Sequence, residues 1–280
     1  MTGPAASNKL LGAFLKDRRL KLDPAAFGIP LVRRRTPGLR REEVAQRANI
    51  SATWYTWLEQ GRGGAPSADV LERVARALML TDAEREHMFL LGLGRLPDIR
   101  PAETEAVTPR LQRLLDALEV SPALIKTPSW DVVAWNRAAT FVLSDYASIP
   151  PGQRNILRLM FLSPHIRAAQ YDWESVARFV VAAFRADVAR AGATAKVEAL
   201  VEELHALSPE FARLWQDNDV RHYGEGVKRL RHPVLEEMVF EYSSFTVDGR
   251  LDLSMVVYNP ATAENAQRIR ALMAATTVAA

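Results

Sequence analysis

The sequence has no cysteine among its 280 residues. A disulfide framework, a cysteine-based zinc site and a thiol redox centre are therefore excluded. It also lacks a run of 18 apolar residues, and its longest apolar stretches, such as Phe179–Phe184, suit a buried helix rather than a membrane span. The opening MTGPAASNKL has no apolar centre of the kind a secretion signal needs. Histidine is scarce, and His87, His165, His205, His222 and His232 form no pair at helical metal-ligand spacing. No GxSxG, P-loop or GxGxxG pattern occurs. Glu202-Glu203 and Glu236-Glu237 are adjacent, so each pair points apart on a helix or a strand and offers no acid–base couple. These absences point to a cytoplasmic, non-enzymatic protein with no metal or cofactor site and no membrane segment.

A large net charge is also missing, since the two signs nearly balance at +3. It is unevenly spread. Residues 1–96 carry 16 Lys and Arg against 10 Asp and Glu, whereas residues 97–280 carry 20 against 23. A basic first third beside a mildly acidic remainder suggests a polyanionic partner for the first part alone. With 48% hydrophobic and 25% charged residues the chain is expected to fold throughout. Its length suits two domains.

The first third reads as five short helices. Leu11, Phe14, Leu15 and Arg18 lie at helical spacing within Asn8–Leu20, which Ser7 can cap. A loop with Pro24, Gly28, Pro30, Pro37 and Gly38 follows and holds Arg33-Arg34-Arg35. Arg40–Ala48, a turn at Asn49-Ile50-Ser51, and Ala52–Gln60 come next. Ser67 can cap Ala68–Leu80, and Thr81 to Glu84 has the form of a capping box. Residues 1–94 are therefore expected to form an all-α helix-turn-helix domain, with 95–109 as linker and 110–280 as a second domain.

The second domain is expected to be α+β with an antiparallel sheet. Thr108-Pro109 opens a helix. Ala123–Thr127 and Trp130–Trp135 read as strands, and Glu237–Val247 and Leu251–Tyr258 alternate around the hairpin signal Asp248-Gly249. Helices are expected over Arg137–Leu143, Gly152–Leu162, Trp173–Ala191, Thr194–Ala206, Pro209–Gln216 and Glu264–Thr276.

The segment LRREEVAQRANISATWYTWLEQGRGGAPS carries the functional signal. Ala45 is small where two helices cross, Ile50 fills the turn, and Tyr55 and Leu58 form the buried face of the second helix. Ser51 stands at the N-cap, a helix end that favours phosphate. At 100° per residue the opposite face carries Ala52, Thr53, Thr56, Gln60 and, to one side, Trp57. Ala52, Thr53, Thr56 and Trp57 are candidates for base edges, since Ala and the Thr methyl suit a thymine methyl and the Thr hydroxyl bonds several bases. Arg40, Arg41, Ser51 and Arg62 are candidates for phosphate. Arg33–Arg35 either reach the DNA backbone or a minor groove, or form a solvated loop. Trp54, about 40° from Leu58 on the wheel, is expected in the core, and Glu59 is expected to pair with a nearby arginine or amide.

Arg41-Glu42-Glu43-Val44-Ala45, Asn49-Ile50-Ser51 and Leu58-Glu59-Gln60-Gly61 resemble the phage-repressor-like (XRE) helix-turn-helix family. That family usually has Gln where this chain has Arg41 and Gly where it has Asn49. Asn tolerates the left-handed backbone such a turn requires. The longer stretch RTPGLRREEVAQRANISATWYTWLEQGR, together with SPALIKTPSWDVVAWNRAA, SPEFARLWQDNDVR, Arg231-His232-Pro233 and FEYSSF, resembles the MmyB-like branch. The resemblance implies a PAS-like sensor domain with an internal cavity, in which fatty acid has been seen. Trp130, Trp135, Phe141, Phe161, Trp215, Phe240 and Tyr242 are candidate cavity aromatics, each weighed against simple core filling. Arg221 or His222 is the candidate partner for a carboxylate head. The reading is a homodimeric regulator that binds double-stranded DNA and senses a small apolar ligand. The alternative is an adaptor whose second domain binds a partner protein, using the exposed Trp57.

Overall fold

A computed structural model describes residues 4–29, 34, 36–62, 64–97, 107–191 and 194–278. The chain divides into two compact units between Pro97 and Asp98.

Five α-helices and one 3-10 turn form the first unit among the described residues: α1 (Pro4–Lys21), the turn Pro24–Phe27, α2 (Arg41–Arg47), α3 (Ala52–Glu59), α4 (Ala68–Ala77) and α5 (Asp82–Leu93). Helix α1 begins before Ser7, so that residue lies inside the helix and does not cap it. The other caps sit where their side chains dictate. Ser51, Ser67 and Thr81 accept from the amides of Trp54, Val70 and Glu84, which satisfies donors that a helix start leaves free. Leu11, Leu15, Val44, Tyr55, Leu58, Leu71, Val74 and Phe89 make the core. Asn49 adopts φ 52°, the left-handed geometry that turns α2 into α3. Two glycines allow close backbone crossing. A Cβ on Gly12 would stand 2.4 Å from the Glu59 carbonyl oxygen, and one on Gly38 would stand 2.3 Å from that of Arg19.

The second unit is α+β. After α6 (Pro109–Asp116) come β1 (Ala123–Lys126), β2 (Val132–Trp135) and α7 (Arg137–Val142). Two 3-10 turns lead to α8 (Ile156–Leu162), α9 (Pro164–Ala169), α10 (Trp173–Ala191), α11 (Ala195–Leu207) and α12 (Pro209–Gln216). Then follow β3 (Glu225–His232), β4 (Glu236–Val247), β5 (Arg250–Pro260) and α13 (Ala263–Val278). The antiparallel sheet has the order β2-β1-β5-β4-β3. Gly249 turns the β4–β5 hairpin with φ 73°. One face of the sheet, with Leu124, Val132, Met238, Phe240, Val256 and Tyr258, packs under helices, while the other presents Ile125, Leu253 and Val257 to Leu115 of α6. A separate core of α8, α10, α11 and α12 holds Phe161, Phe184 and Phe211.

Strand β3 and helix α9 were not anticipated from the sequence. The expected strand from Trp130 starts later, at Val132, because Trp130 takes φ 63° in the turn that follows β1.

Candidate DNA interface and ligand cavity

Helix α3 is fastened from below. Glu59 is buried, with 1% of its side chain exposed, and binds Arg19 through both carboxylate oxygens; the longer of the two contacts is 3.0 Å. It also accepts from Arg41 Nε at 2.7 Å. Arg19 donates onward to the Leu39 carbonyl at 2.7 Å. Burial alone would raise the Glu59 carboxyl, but its bonds to Arg19 and Arg41 outweigh that and lower its pKa. Burial pushes the adjacent Tyr55 phenol up. One helix turn thus links α1, the start of α2 and α3.

Above this anchor the outward residues differ in exposure. Thr53, Gln60 and Trp57 are exposed, Trp57 by 49%. Ala52 is half-buried against the core, and Thr56 is half-buried with its hydroxyl donating to the Ala52 carbonyl at 2.8 Å. Thr53, Trp57 and Gln60 are therefore the freest side chains on the reading face. Trp54 packs against the core, as its wheel position requires. Ser51 is exposed but spends its hydroxyl oxygen on the Trp54 amide at 3.1 Å. Arg40 and Arg62 are exposed at either end of the motif. Arg41 is 39% exposed and tied to Glu59. The arginine trio needs correction. Arg34 is neither solvated nor directed at DNA: its side chain is 6% exposed, with two bonds of 2.7 Å to Glu43 and one of 2.9 Å to the Gly38 carbonyl. Arg33 and Arg35 lie outside the described residues.

In the second unit a cavity of about 360 Å³ lies between the sheet and α7–α10. Leu124, Phe141, Tyr146, Leu159, Met160, Leu230 and Tyr258 line it, together with the cations Lys228 and Arg231. Burial with no compensating carboxylate lowers the Lys228 ammonium to about 8. Among the described residues its hydrogen-bond partner is Gln170 Oε1, at 3.5 Å. At the mouth, His232 is fixed by its neighbours. Nδ1 accepts from the amides of Val234 and Leu235 at 3.1 and 3.0 Å, so Nε2 carries the proton and donates to the Phe141 carbonyl at 2.8 Å.

The sequence-derived ligand residues scatter. Phe141 lines this cavity, and Tyr242 lines a neighbouring one. Phe161 and Trp215 fill the helical core around Phe211. Phe240 is fully buried, and Trp135 packs on Tyr146 beneath Arg154. Trp130 is fully buried and donates to Asp187 at 2.7 Å, beside the Lys126 ammonium. Arg221 and His222 are exposed on an irregular segment and line neither of these two cavities. Lys228 was missed because it lies on the missed strand.

Residues 107–272 match the family described as MmyB-like transcription regulator ligand binding domain, which covers more than half of the chain. The chain belongs to that family. Residues 10–88 of this MmyB-like regulator match a helix-turn-helix domain, which spans the fastened α2–α3 pair. No curated protein matches it. The two matched domains make it a DNA-binding transcription regulator with a ligand-binding domain. Both families are regulator domains rather than enzymes. No described helix is long and apolar enough to cross a membrane.

Proposed function

We propose that this protein is a homodimer that reads a specific double-stranded DNA sequence and responds to a small apolar, fatty-acid-like ligand. The observation that carries the DNA half is the contrast on α3: Tyr55, Leu58 and Glu59 are buried, while Thr53, Trp57 and Gln60 face outward. Such a helix fits a major groove with base-reading side chains forward and arginines at its flanks. The ligand half rests on a largely apolar cavity lined by Lys228, whose ammonium is buried with no compensating carboxylate. A carboxylate brought by a ligand would neutralise that cation where water is scarce.

The test is a mobility shift on DNA from the protein's own promoter region at two salt concentrations. Thr53→Ala should change which base is preferred at one position, worth about 1–3 kcal/mol. Arg62→Ala should weaken all duplexes alike and reduce the salt slope by about one. A parent protein that shows no sequence-selective shift would support the adaptor reading instead.

A further inference from the structure

The cavity that holds Lys228 has a neighbour. A second cavity, of about 660 Å³, lies at the edge of β3 against the start of α10. The two share three lining residues: Val180, Tyr223 and Lys228. Their chemistry differs. The inner one is walled mainly by aliphatic and aromatic side chains. The outer one adds Asp172, Ser175 and Arg229 to Phe179 and Tyr242. Arg229 lies over the exposed Tyr171 ring, 5.9 Å from its centroid, at the rim. Tyr223 lines both spaces, held by a 2.8 Å hydroxyl contact to Tyr258 and packed on Phe179 and Tyr242.

Two cations line the outer space: Lys228, which both cavities share, and Arg229. A plain carboxylic acid would use the first and leave the outer space to water. The inner volume equals about a dozen water-sized groups, which suits one medium-length chain. We propose that the two cavities form one bipartite site for an acyl chain joined to an extended, anionic polar head, such as an N-acylated amino acid. The chain lies inward, the linking carbonyl accepts from Lys228, and the terminal carboxylate reaches Arg229. This rests on the reading of the inner cavity as the ligand site.

The experiment compares dodecanoate with N-dodecanoylglycine by titration calorimetry on the full chain, parent and Ser175→Trp. Ser175 is exposed on α10, so the indole should fill the outer space without disturbing the core. The parent should bind the conjugate at least as tightly as the acid. Ser175→Trp should weaken the conjugate by about tenfold or more and leave the acid unchanged. If Ser175→Trp loses its helical circular dichroism, Val227→Trp, at another exposed position lining the outer cavity, takes its place. A parent that binds dodecanoate but rejects the conjugate overturns the proposal, as does a tryptophan variant that affects both ligands equally or neither. If the parent binds neither ligand, the inner-cavity reading fails, and this inference fails with it.

Discussion

At the residue scale the protein turns on two charged side chains placed where charge is costly. Lys228 loses its proton near pH 8 in the folded protein, against 10.5 for an ordinary lysine. Between those values the unfolded chain binds more protons, so this group makes stability rise with pH across that window. Lys228→Met should abolish that rise, measured as the difference in denaturant midpoint between pH 8 and 10. It should also weaken an anionic ligand, and the parent's affinity for dodecanoate should fall as pH passes 8 while the variant's stays flat. Glu59 works in the opposite sense. Its lowered carboxyl stabilises the fold above the unfolded carboxylate range, and that contribution is lost as pH falls through its folded value. Glu59→Gln leaves Arg19 buried without its counter-charge and should cost about 3–5 kcal/mol in denaturation experiments. The acid limb of the stability profile should flatten in the same variant.

At the element scale, the helix starts and the α2–α3 turn were legible because their signals are local. Ser51, Ser67 and Thr81 can satisfy free amides only at a helix start, and Asn49 fits the left-handed turn. Strand β3 was not legible because of what it borders. Lys228, Leu230, Arg231 and His232 line the inner cavity, and Val227, Lys228 and Arg229 line the outer one. A strand that borders a cavity need not alternate apolar with polar, so the period-two signal disappears there. The aromatics misled for the converse reason. Bulk suggests a pocket, but Trp130, Phe161, Trp215 and Phe240 pack against other side chains and leave no space. The α1–α3 crossing depends on one absent side chain. Gly12→Ala would press a methyl group into the Glu59 carbonyl, so the helices must part. Overpacking of this kind costs about 1–3 kcal/mol. Thermal melting should show the loss, and DNA affinity should fall with it because the shift falls on the turn that carries Glu59.

At the scale of the whole molecule, what matters is whether the ligand domain and the DNA domain share one equilibrium. A ligand can alter DNA binding only if it binds the DNA-competent and DNA-incompetent states with different affinity. Linkage then makes the effect reciprocal: if ligand changes DNA affinity by some factor, saturating DNA changes ligand affinity by the same factor. Allosteric couplings are commonly 1–3 kcal/mol, or about 5- to 150-fold. The proposed homodimer adds a geometric demand, because two recognition helices related by a two-fold axis read half-sites about 34 Å apart. Fluorescence anisotropy with a labelled operator, with and without dodecanoate, gives one side of the cycle. Ligand titration with and without unlabelled operator gives the other. The two factors should agree, and moving the half-sites apart by half a helical turn should weaken DNA binding in both ligand states. Equal DNA affinity at every ligand concentration, in a protein that demonstrably binds dodecanoate, would mean that the cavity serves some purpose other than control of the helix-turn-helix.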